Sequence, residues 1–261
     1  MAGRKASNEG STPVTQILVL QKALSILDSF TPGRPALELA DIRRATGLPA
    51  STCLRLVRNL VAHDVLTYDG SRYRVGVAVL RWAKSAEAGF AVVDSVAPYV
   101  TRLRDQANET SGLFIRVGAE RVCIAVAEAT HSLMRRLYTG HALPLYVGSP
   151  GKVLLAYDDD ALAELGDDLT PRTDHTITDR AALEKELAKI RSQGYAASLG
   201  EWEPDLAGVA APVFGYDGAI VAAMAVSAPM SRLSPDRLPE TAELVVRLAR
   251  EASEALGHAD P

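Results

Sequence analysis

The segment from Leu37 to Val75 constrains the fold more than any other part of the chain. Within it, two short stretches of helical periodicity flank a tight turn, TGLP, at residues 46–49. Gly47 suits the left-handed residue that ends a helix, and Pro49 suits a first helical turn, where a missing N–H costs nothing. A hairpin pattern follows. The order helix, turn, helix and hairpin predicts a winged helix-turn-helix.

The second helix of this pair has one apolar side and one polar side. Its apolar residues recur at i, i+3, i+4 and i+7, and these are Cys53, Leu56, Val57 and Leu60. Its polar residues can hydrogen-bond to base edges or to phosphates, and these are Ser51, Thr52, Arg55, Arg58 and Asn59. An ordinary amphipathic helix with a solvated face has the same pattern, and for an isolated helix that interpretation is the better one.

The hairpin shifts the balance towards DNA binding. Residues 66–68 and 72–75 have strand character, and an Asp-Gly turn signal separates them. Arg72 and Arg74 alternate with a tyrosine, which places both guanidinium groups on one face of the ribbon. We therefore expect the second helix to enter the DNA major groove and the hairpin to lie along the phosphate backbone.

The charge distribution supports two domains with different roles. A length of 261 residues is sufficient for two domains, and the net charge is −4. Residues 1–90 contain 12 Lys and Arg against 7 Asp and Glu, whereas residues 91–261 contain 16 against 25. A basic first third joined to an acidic remainder is typical of a DNA-binding module attached to a domain that does not bind DNA.

Several classes of protein are disfavoured by the sequence. No apolar run approaches the ~18 residues of a membrane span, and the polar start of the chain indicates a disordered tail rather than a signal peptide. Cys53 and Cys123 lie in apolar patterns, so we expect a cytoplasmic protein without a disulfide framework. The histidines lack metal-ligand spacing, and no catalytic or cofactor motif is present. We expect neither metal, cofactor nor enzymatic activity.

Helical and strand patterns alternate along the rest of the chain. Helices are expected over residues 17–30, 76–89, 92–106, 151–157, 179–193 and 235–256, and strands over 111–117, 121–127, 133–138, 206–214 and 219–227. The predicted fold is α+β with an antiparallel sheet. The helix over 76–89 is apolar and carries Trp82, which predicts that it packs against a second subunit.

The chain resembles the IclR family of bacterial transcriptional regulators from about residue 17 to residue 257. The resemblance rests on GLPASTCLRLVRNLV, RYRVG, LPLYVGSPGKVLLA, TITDRAALEKELAKIRSQGYA, GEWEPDLAGVAAPVF and AAMAVSAP, in that order. It implies a winged helix-turn-helix (14–75), a linker helix (76–90) and a GAF/PAS-like effector-binding domain (91–258), which follow the disordered tail (1–13) predicted from the polar start of the chain. It also implies homodimers that pair into tetramers on palindromic double-stranded DNA, and a small-molecule effector that is often a carboxylate.

The family's base-reading positions correspond to Ala50, Ser51, Thr52 and Arg55 in this sequence. Family members often have Lys or Arg at the position of Ala50 and a polar residue at that of Leu54, so the start of this helix offers fewer hydrogen-bonding groups. We expect Thr52 and Arg55 to read bases. Arg58, Arg72 and Arg74 are expected to contact the phosphate backbone.

A small turn at residues 149–152, Ser-Pro-Gly-Lys, precedes the apolar run VLLA. Such a helix start directs free N–H groups and the positive end of the helix dipole outwards, which suits a carboxylate ligand. A plain capping turn is an equally weighted alternative. For Lys152 a solvated side chain is the simpler interpretation.

The resemblance extends the candidate effector site to other segments. The implied residues are Tyr146, Ser149, Pro150, Gly151, Ser198, Leu206, Gly208, Ala225 and Ser227. Several are less polar than is usual in sensors of small acids, which predicts a roomier pocket and a partly apolar ligand, such as an aromatic acid, rather than a two- or three-carbon acid. Trp202 could line this pocket, but an aromatic that covers the core from a surface loop is the preferred interpretation.

The function expected from these features is that of a ligand-responsive regulator, a repressor of a catabolic operon. A small-molecule-processing or sensory protein whose winged helix makes only protein contacts is the alternative. The polar face of the helix over 49–62 and the basic first third favour the regulator.

Overall fold

The computed structural model describes residues 17–87, 91–131, 137–166 and 169–259. The chain divides into two compact units, residues 1–89 and residues 90–261. The expected tail over 1–13 lies outside the described residues, as do residues 133–136 of the strand predicted over 133–138. The described end of that segment, residues 137 and 138, is not a strand.

The first unit has the predicted order of helix, turn, helix and hairpin. Its helices are α1 (Leu18–Asp28), α2 (Leu39–Thr46), α3 (Ala50–Ala62) and α4 (Val77–Glu87). Its strands are β1 (Ala36–Leu37), β2 (Leu66–Tyr68) and β3 (Tyr73–Val75), which form an antiparallel sheet in the order β1-β3-β2. β1 was not predicted, because two residues are too few to show a strand period.

The core of the first unit lies where α1, α2 and α3 meet the small sheet. Ile26 of α1, Ile42 of α2 and Cys53 of α3 are fully buried, and Tyr73 closes the core from the hairpin. The predicted apolar side of α3 is thereby confirmed. α2 ends at Gly47 with φ of 67°, as expected for a left-handed cap, and Pro49 lies one residue before α3 rather than in its first turn.

The second unit is an antiparallel sheet with a helical layer on each face. Its helices are α5 (Ala91–Ala107), α6 (Ser149–Ala156), α7 (Asp159–Glu164), α8 (Arg180–Gln193) and α9 (Leu238–Ala255). Its strands are β4 (Thr110–Val117), β5 (Glu120–Ala127), β6 (Ala142–Pro144), β7 (Ala196–Leu199), β8 (Leu206–Phe214) and β9 (Ile220–Pro229). Their order in the sheet is β6-β5-β4-β9-β8-β7. The fold is therefore α+β, as predicted.

Alternation along β8 and β9 assigns each side chain to one helical layer. Val209 and Met224 pack with residues of α5 and α9, whereas Ala210 and Ala225 pack with residues of α6 and α8. Small alanines on the second face allow α6 to lie close to the strands. This close packing brings the first turn of α6 over the sheet, where a small cavity lies.

Element boundaries differ from the predictions mainly at prolines. α6 begins at Ser149 and not at residue 151, because Pro150 is accommodated within the first turn. The last helix starts with a short 3₁₀ turn, Pro235–Arg237, before α9. Strand β6 was missed because it has only three residues. Over the described ranges, the structure contains no helix long and apolar enough to cross a membrane.

Candidate nucleic-acid interface and ligand cavity

The polar side of α3 is accessible, as its pattern predicts. Ser51, Arg55, Arg58 and Asn59 are exposed, and Thr52 is half-buried. Asn59 Nδ2 donates to the carbonyl oxygen of Arg55 at 2.8 Å, so part of its amide is engaged within the helix. The two arginines therefore carry most of the hydrogen-bonding capacity that this face directs outwards.

The hairpin presents two exposed arginines on a fixed scaffold. Tyr73 is buried and stacks on Tyr68 with ring centroids 4.5 Å apart, while Arg72 and Arg74 are exposed. β3 starts at Tyr73, so Arg72 belongs to the turn and not to the strand that was predicted over 72–75. Arg74 Nε lies 3.7 Å from Asp69 Oδ2, which anchors this guanidinium near the turn.

Asp69 organises the hairpin turn. Its Oδ1 accepts the N–H groups of Arg72 at 2.8 Å and of Ser71 at 3.0 Å. These backbone hydrogen bonds, with Arg72 first, lower the pKa of the Asp69 carboxyl from 3.8 to about 2. The carboxylate therefore stays ionised throughout the physiological range, and the turn keeps its shape.

A small cavity lies between the first turn of α6 and the sheet. Its volume is about 30 Å³. It is lined by Phe114, Arg121, Leu137, Leu143, Gly148, Ser149, Pro150, Ser198, Trp202, Leu206, Ala207, Gly208 and Ser227. The structure thus brings together six of the nine residues that the resemblance implied: Ser149, Pro150, Ser198, Leu206, Gly208 and Ser227.

The other three implied residues lie behind the cavity wall. Tyr146 is buried and donates its hydroxyl to the carbonyl oxygen of Thr170 at 2.8 Å. Gly151 permits close packing, because a Cβ there would lie 2.1 Å from the carbonyl oxygen of Leu145. Ala225 is part of the apolar core below α6. The structure places these three residues where they shape the cavity without lining it.

The first turn of α6 is occupied by the chain's own groups. The Gly148 N–H donates to Glu201 Oε2 at 2.8 Å, and the Ser149 N–H donates to Ser198 Oγ at 3.2 Å. Pro150 has no N–H. The prediction of free, outward-facing amides is wrong for Gly148 and Ser149, because residues of the β7 region reach the turn and satisfy them.

Lys152 is buried rather than solvated, with 1% of its surface exposed. Its Nζ lies 2.5 Å from Glu201 Oε1, 3.1 Å from the carbonyl oxygen of Ala197 and 3.5 Å from Glu186 Oε1. Burial of a charge is tolerated only with such pairing. The simpler interpretation of a solvated lysine is wrong, and the ion pair ties α6 to the segment that follows β7.

Two further side chains line the cavity: Arg121, which was missed from sequence, and Trp202. Arg121 is buried, and its Nη1 donates to the carbonyl oxygens of Pro144 and Val147. The sequence around Arg121 does not predict its burial, because an isolated arginine in a strand is normally exposed. Trp202 is half-buried in the segment after β7, where it packs against the apolar core as the preferred interpretation expected, and it also lines the cavity. The Arg172 Cζ atom lies 5.1 Å from its ring centroid.

Comparison with known proteins identifies both units. Residues 19–70 match the IclR helix-turn-helix domain, and residues 86–254 match the bacterial transcriptional regulator IclR C-terminal domain. The chain belongs to the IclR family. Its IclR-family relatives are transcriptional regulators and not enzymes, and this chain is a transcriptional regulator of the same kind. DNA and a small-molecule effector are the partners of such a protein.

Three relatives show how far the similarity extends. The chain is 31% identical to the HTH-type transcriptional regulator BhcR of Paracoccus denitrificans, with 95% of this chain and 91% of BhcR covered. It is 30% identical to the HTH-type transcriptional repressor AllR of Escherichia coli K12, with 91% and 90% covered. An IclR homologue from Microbacterium hydrocarbonoxydans, solved with 4-hydroxybenzoate, shares the fold with a TM-score of 0.75 at 23% identity, covering 91% of this chain and 98% of that chain.

Proposed function

We propose that this IclR-family regulator represses a catabolic operon and that a small organic acid controls its binding to a palindromic operator. The observation that carries the proposal is the exposed polar side of α3 in one unit, combined with a lined cavity in the other unit. The relative AllR is named a repressor, which supports repression as the mode of control. We propose a cytoplasmic location, because the DNA that such a regulator binds is chromosomal.

In this proposal the residues of the first unit divide into base readers and phosphate contacts. Thr52 and Arg55, near the start of α3, read base edges in the major groove, with Ser51 beside them. Arg58, Arg72 and Arg74 contact phosphates, and Asn59 contributes through the part of its amide that is not engaged with Arg55. Exposure of all these side chains except the half-buried Thr52 supports the assignment.

The proposed oligomer is a homodimer that assembles to a tetramer. Large apolar side chains are exposed on α1 and α4, including Leu20, Leu24, Leu80 and Trp82. Leu80 is 68% exposed and Trp82 is 57% exposed. Apolar surface of this extent is costly in water, and a second copy of the same helices is the partner that a palindromic operator requires. In this role α4 is the linker helix.

Two classes of acid fit the cavity for different reasons. Phe114, Leu143 and Trp202 give it an apolar lining, which favours an aromatic acid, and the homologue from Microbacterium hydrocarbonoxydans binds 4-hydroxybenzoate. The volume of about 30 Å³ admits on the order of two water molecules and favours a compact acid of two or three carbons. An aromatic acid requires outward movement of a wall residue such as Trp202.

Fluorescence anisotropy with DNA from upstream of the protein's own gene tests the proposal. We expect specific binding at 10⁻⁸–10⁻¹¹ M in physiological salt, retained against competitor DNA and weakened steeply as salt is raised. Benzoate-type acids, glyoxylate and pyruvate are then added in turn to identify the acid that releases the operator. Binding that is indifferent to sequence would exclude an operator-specific regulator, and a wing that contacts only protein would give no salt-dependent DNA binding at all.

A further inference from the structure

One edge of the sheet in the second unit is open beyond the end of β7. β7 pairs with β8 only as far as Ala210, so among the described residues no strand flanks Ala211–Phe214 on that side. The Phe214 N–H faces this edge and donates to Ser253 Oγ at 2.9 Å. Backbone groups alternate in direction along an antiparallel strand, so Pro212 faces the same edge, and it has no N–H. The edge therefore offers no backbone donor to an added strand.

A groove with a volume of about 150 Å³ lies along this open edge, between β8 and α9. It is lined by Tyr157, Gly194, Ala211, Pro212, Phe214, Val246, Arg250, Ser253 and His258. The groove is larger than the cavity of about 30 Å³ at the start of α6, and the two share no lining residue. An apolar cavity of about 150 Å³ is large enough to bind benzene. A single aromatic ring therefore fits the groove without movement of Trp202.

Three aromatic side chains form a continuous wall of the groove. The Phe214 ring lies edge-on to that of Tyr157 and tilted to that of His258, with centroids 5.3 Å apart in each pair. Among the described residues, neither the Tyr157 hydroxyl nor the His258 imidazole has a hydrogen-bond partner. Burial raises the pKa of the Tyr157 hydroxyl, which therefore stays neutral and able to donate. The wall offers ring surface together with two unused polar groups.

The charged side chains at this groove are cations. Arg250 lines it from α9, and no Asp or Glu is among the described residues that line it. Arg191 lies nearby on α8, where its Nη1 donates to the carbonyl oxygen of Ala156 at 3.0 Å and its charge acts on the Tyr157 hydroxyl. Among the described residues Arg191 has no ion pair, whereas Arg250 has a further interaction within the chain. This distribution favours a ligand with a negative charge.

We propose that the groove between β8 and α9 is a second ligand site, which binds a carboxylate attached to a single aromatic ring. The ring lies against Phe214 and Val246, the carboxylate lies towards Arg250, and the Tyr157 hydroxyl donates a hydrogen bond to it. This site is separate from the effector cavity at the start of α6. The inference therefore does not depend on the function proposed for that cavity.

Calorimetry on the full-length protein tests this site with three probes. Benzoate carries both the ring and the charge, benzamide has the ring without the charge, and acetate has the charge without the ring. Val246→Phe fills the groove, and Val117→Phe, at an exposed position that ends β4, is its matched control. Arg250→Gln removes the lining cation, and Arg247→Gln, one turn earlier on α9 and outside the groove, is the control for it. Circular dichroism checks that each variant is folded.

We expect benzoate to bind the wild type and Val246→Phe to weaken that binding about tenfold or more, because the added ring occupies the groove. Arg250→Gln should lose about two- to fivefold, as is typical of an exposed ion pair. Benzamide and acetate should each bind more weakly than benzoate, and both control variants should bind benzoate as the wild type does. If benzoate also occupies the cavity at α6, Val246→Phe should remove one of two bound molecules per chain.

Three results would overturn the proposal. Benzoate that binds Val246→Phe with the wild-type affinity and stoichiometry lies elsewhere on the protein. Benzamide that binds as tightly as benzoate shows that the groove does not select a carboxylate. Absence of benzoate binding by the folded wild type shows that the groove is not a site for this class of ligand, whereas operator binding and its response to an acid at α6 would still stand.

Discussion

Lys152 and Glu201 form a buried ion pair, with Nζ and Oε1 2.5 Å apart, between the first turn of α6 and the segment that follows β7. Glu201 uses its other oxygen to accept the Gly148 N–H. The pair therefore fixes both the helix start and the loop that carries Trp202, and these are two walls of the cavity. The shape of the cavity therefore depends on this contact.

Removal of one member of this pair should destabilise the protein strongly. Lys152→Met leaves the Glu201 carboxylate buried without its cation, and we expect a loss of about 3–5 kcal/mol in the free energy of unfolding. Lys152→Met combined with Glu201→Gln removes both charges and should be less destabilised than Lys152→Met alone. Urea unfolding followed by circular dichroism measures both. Equal stability of Lys152→Met and wild type would show that the pair contributes nothing.

Arg55→Ala should weaken operator binding by about 1–3 kcal/mol if its guanidinium contacts a base edge in bidentate fashion. The loss should be largest at one base pair of the operator and smaller on unrelated DNA, because a base contact carries sequence information. Lys189→Ala, an exposed cation on α8, is the matched control and should leave affinity unchanged. An Arg55→Ala variant that retains wild-type affinity and sequence preference would remove Arg55 from the recognition surface.

Arg74→Ala should weaken binding to all DNA sequences alike and lower the salt slope by about one, as expected for a single phosphate contact. Anisotropy titrations at several salt concentrations give the slope. Arg102→Ala, which removes an exposed cation of α5, serves as the control for a change in net charge. A sequence-dependent loss for Arg74→Ala would instead assign it to base reading.

The Asp69 carboxyl should titrate near pH 2 in the folded protein. Because the folded-state pKa is lowered, its support of the hairpin turn is fully present above the ordinary pKa of 3.8 and is lost as the pH falls through about 2. Carboxyl-selective NMR of labelled aspartate follows this titration, and the Ser71 and Arg72 amides should shift with the same midpoint. A midpoint at 3.8 would mean that these two amides do not hold the carboxylate.

Both cysteines should resist alkylation in the native protein. Cys123 is fully buried, and burial raises the pKa of its thiol to about 12; burial also raises the pKa of Cys53. Iodoacetamide at pH 8 should therefore modify neither thiol until the protein is unfolded in urea, when both should react. Mass spectrometry counts the adducts, and stoichiometric labelling of the folded chain would show that one of the two sites opens readily.

Much of the fold followed from sequence patterns because the decisive elements are long or carry strong end signals. The apolar side of α3, the left-handed cap at Gly47 and the hairpin of β8 and β9 all reflect local chemistry. β1 and β6 have two or three residues and form only because neighbouring strands offer backbone partners. The likeness of the second unit to GAF or PAS domains, and the domain boundaries inferred from the resemblance, stay predictions.

The candidate ligand site was harder to predict because its charges act over long sequence separations. Lys152 meets a carboxylate 49 residues away, and Arg121 meets carbonyl groups more than 20 residues away. The periodicity of the local sequence does not indicate such pairing. Lys152 was therefore predicted to be exposed, and Arg121 was not predicted to belong to the site. The resemblance supplied six of the residues that line the cavity but not Arg121, since Arg121 lies outside the motifs that carried the resemblance.

The central claim is that the acid site and the DNA site are coupled, and a linkage experiment tests it most directly. The operator dissociation constant of the full-length protein is measured with and without a saturating acid that calorimetry has shown to bind, and the acid's dissociation constant is measured with and without operator. The account predicts that both change by the same factor, about 5- to 150-fold. An acid that binds to saturation yet leaves the operator affinity unchanged would contradict it.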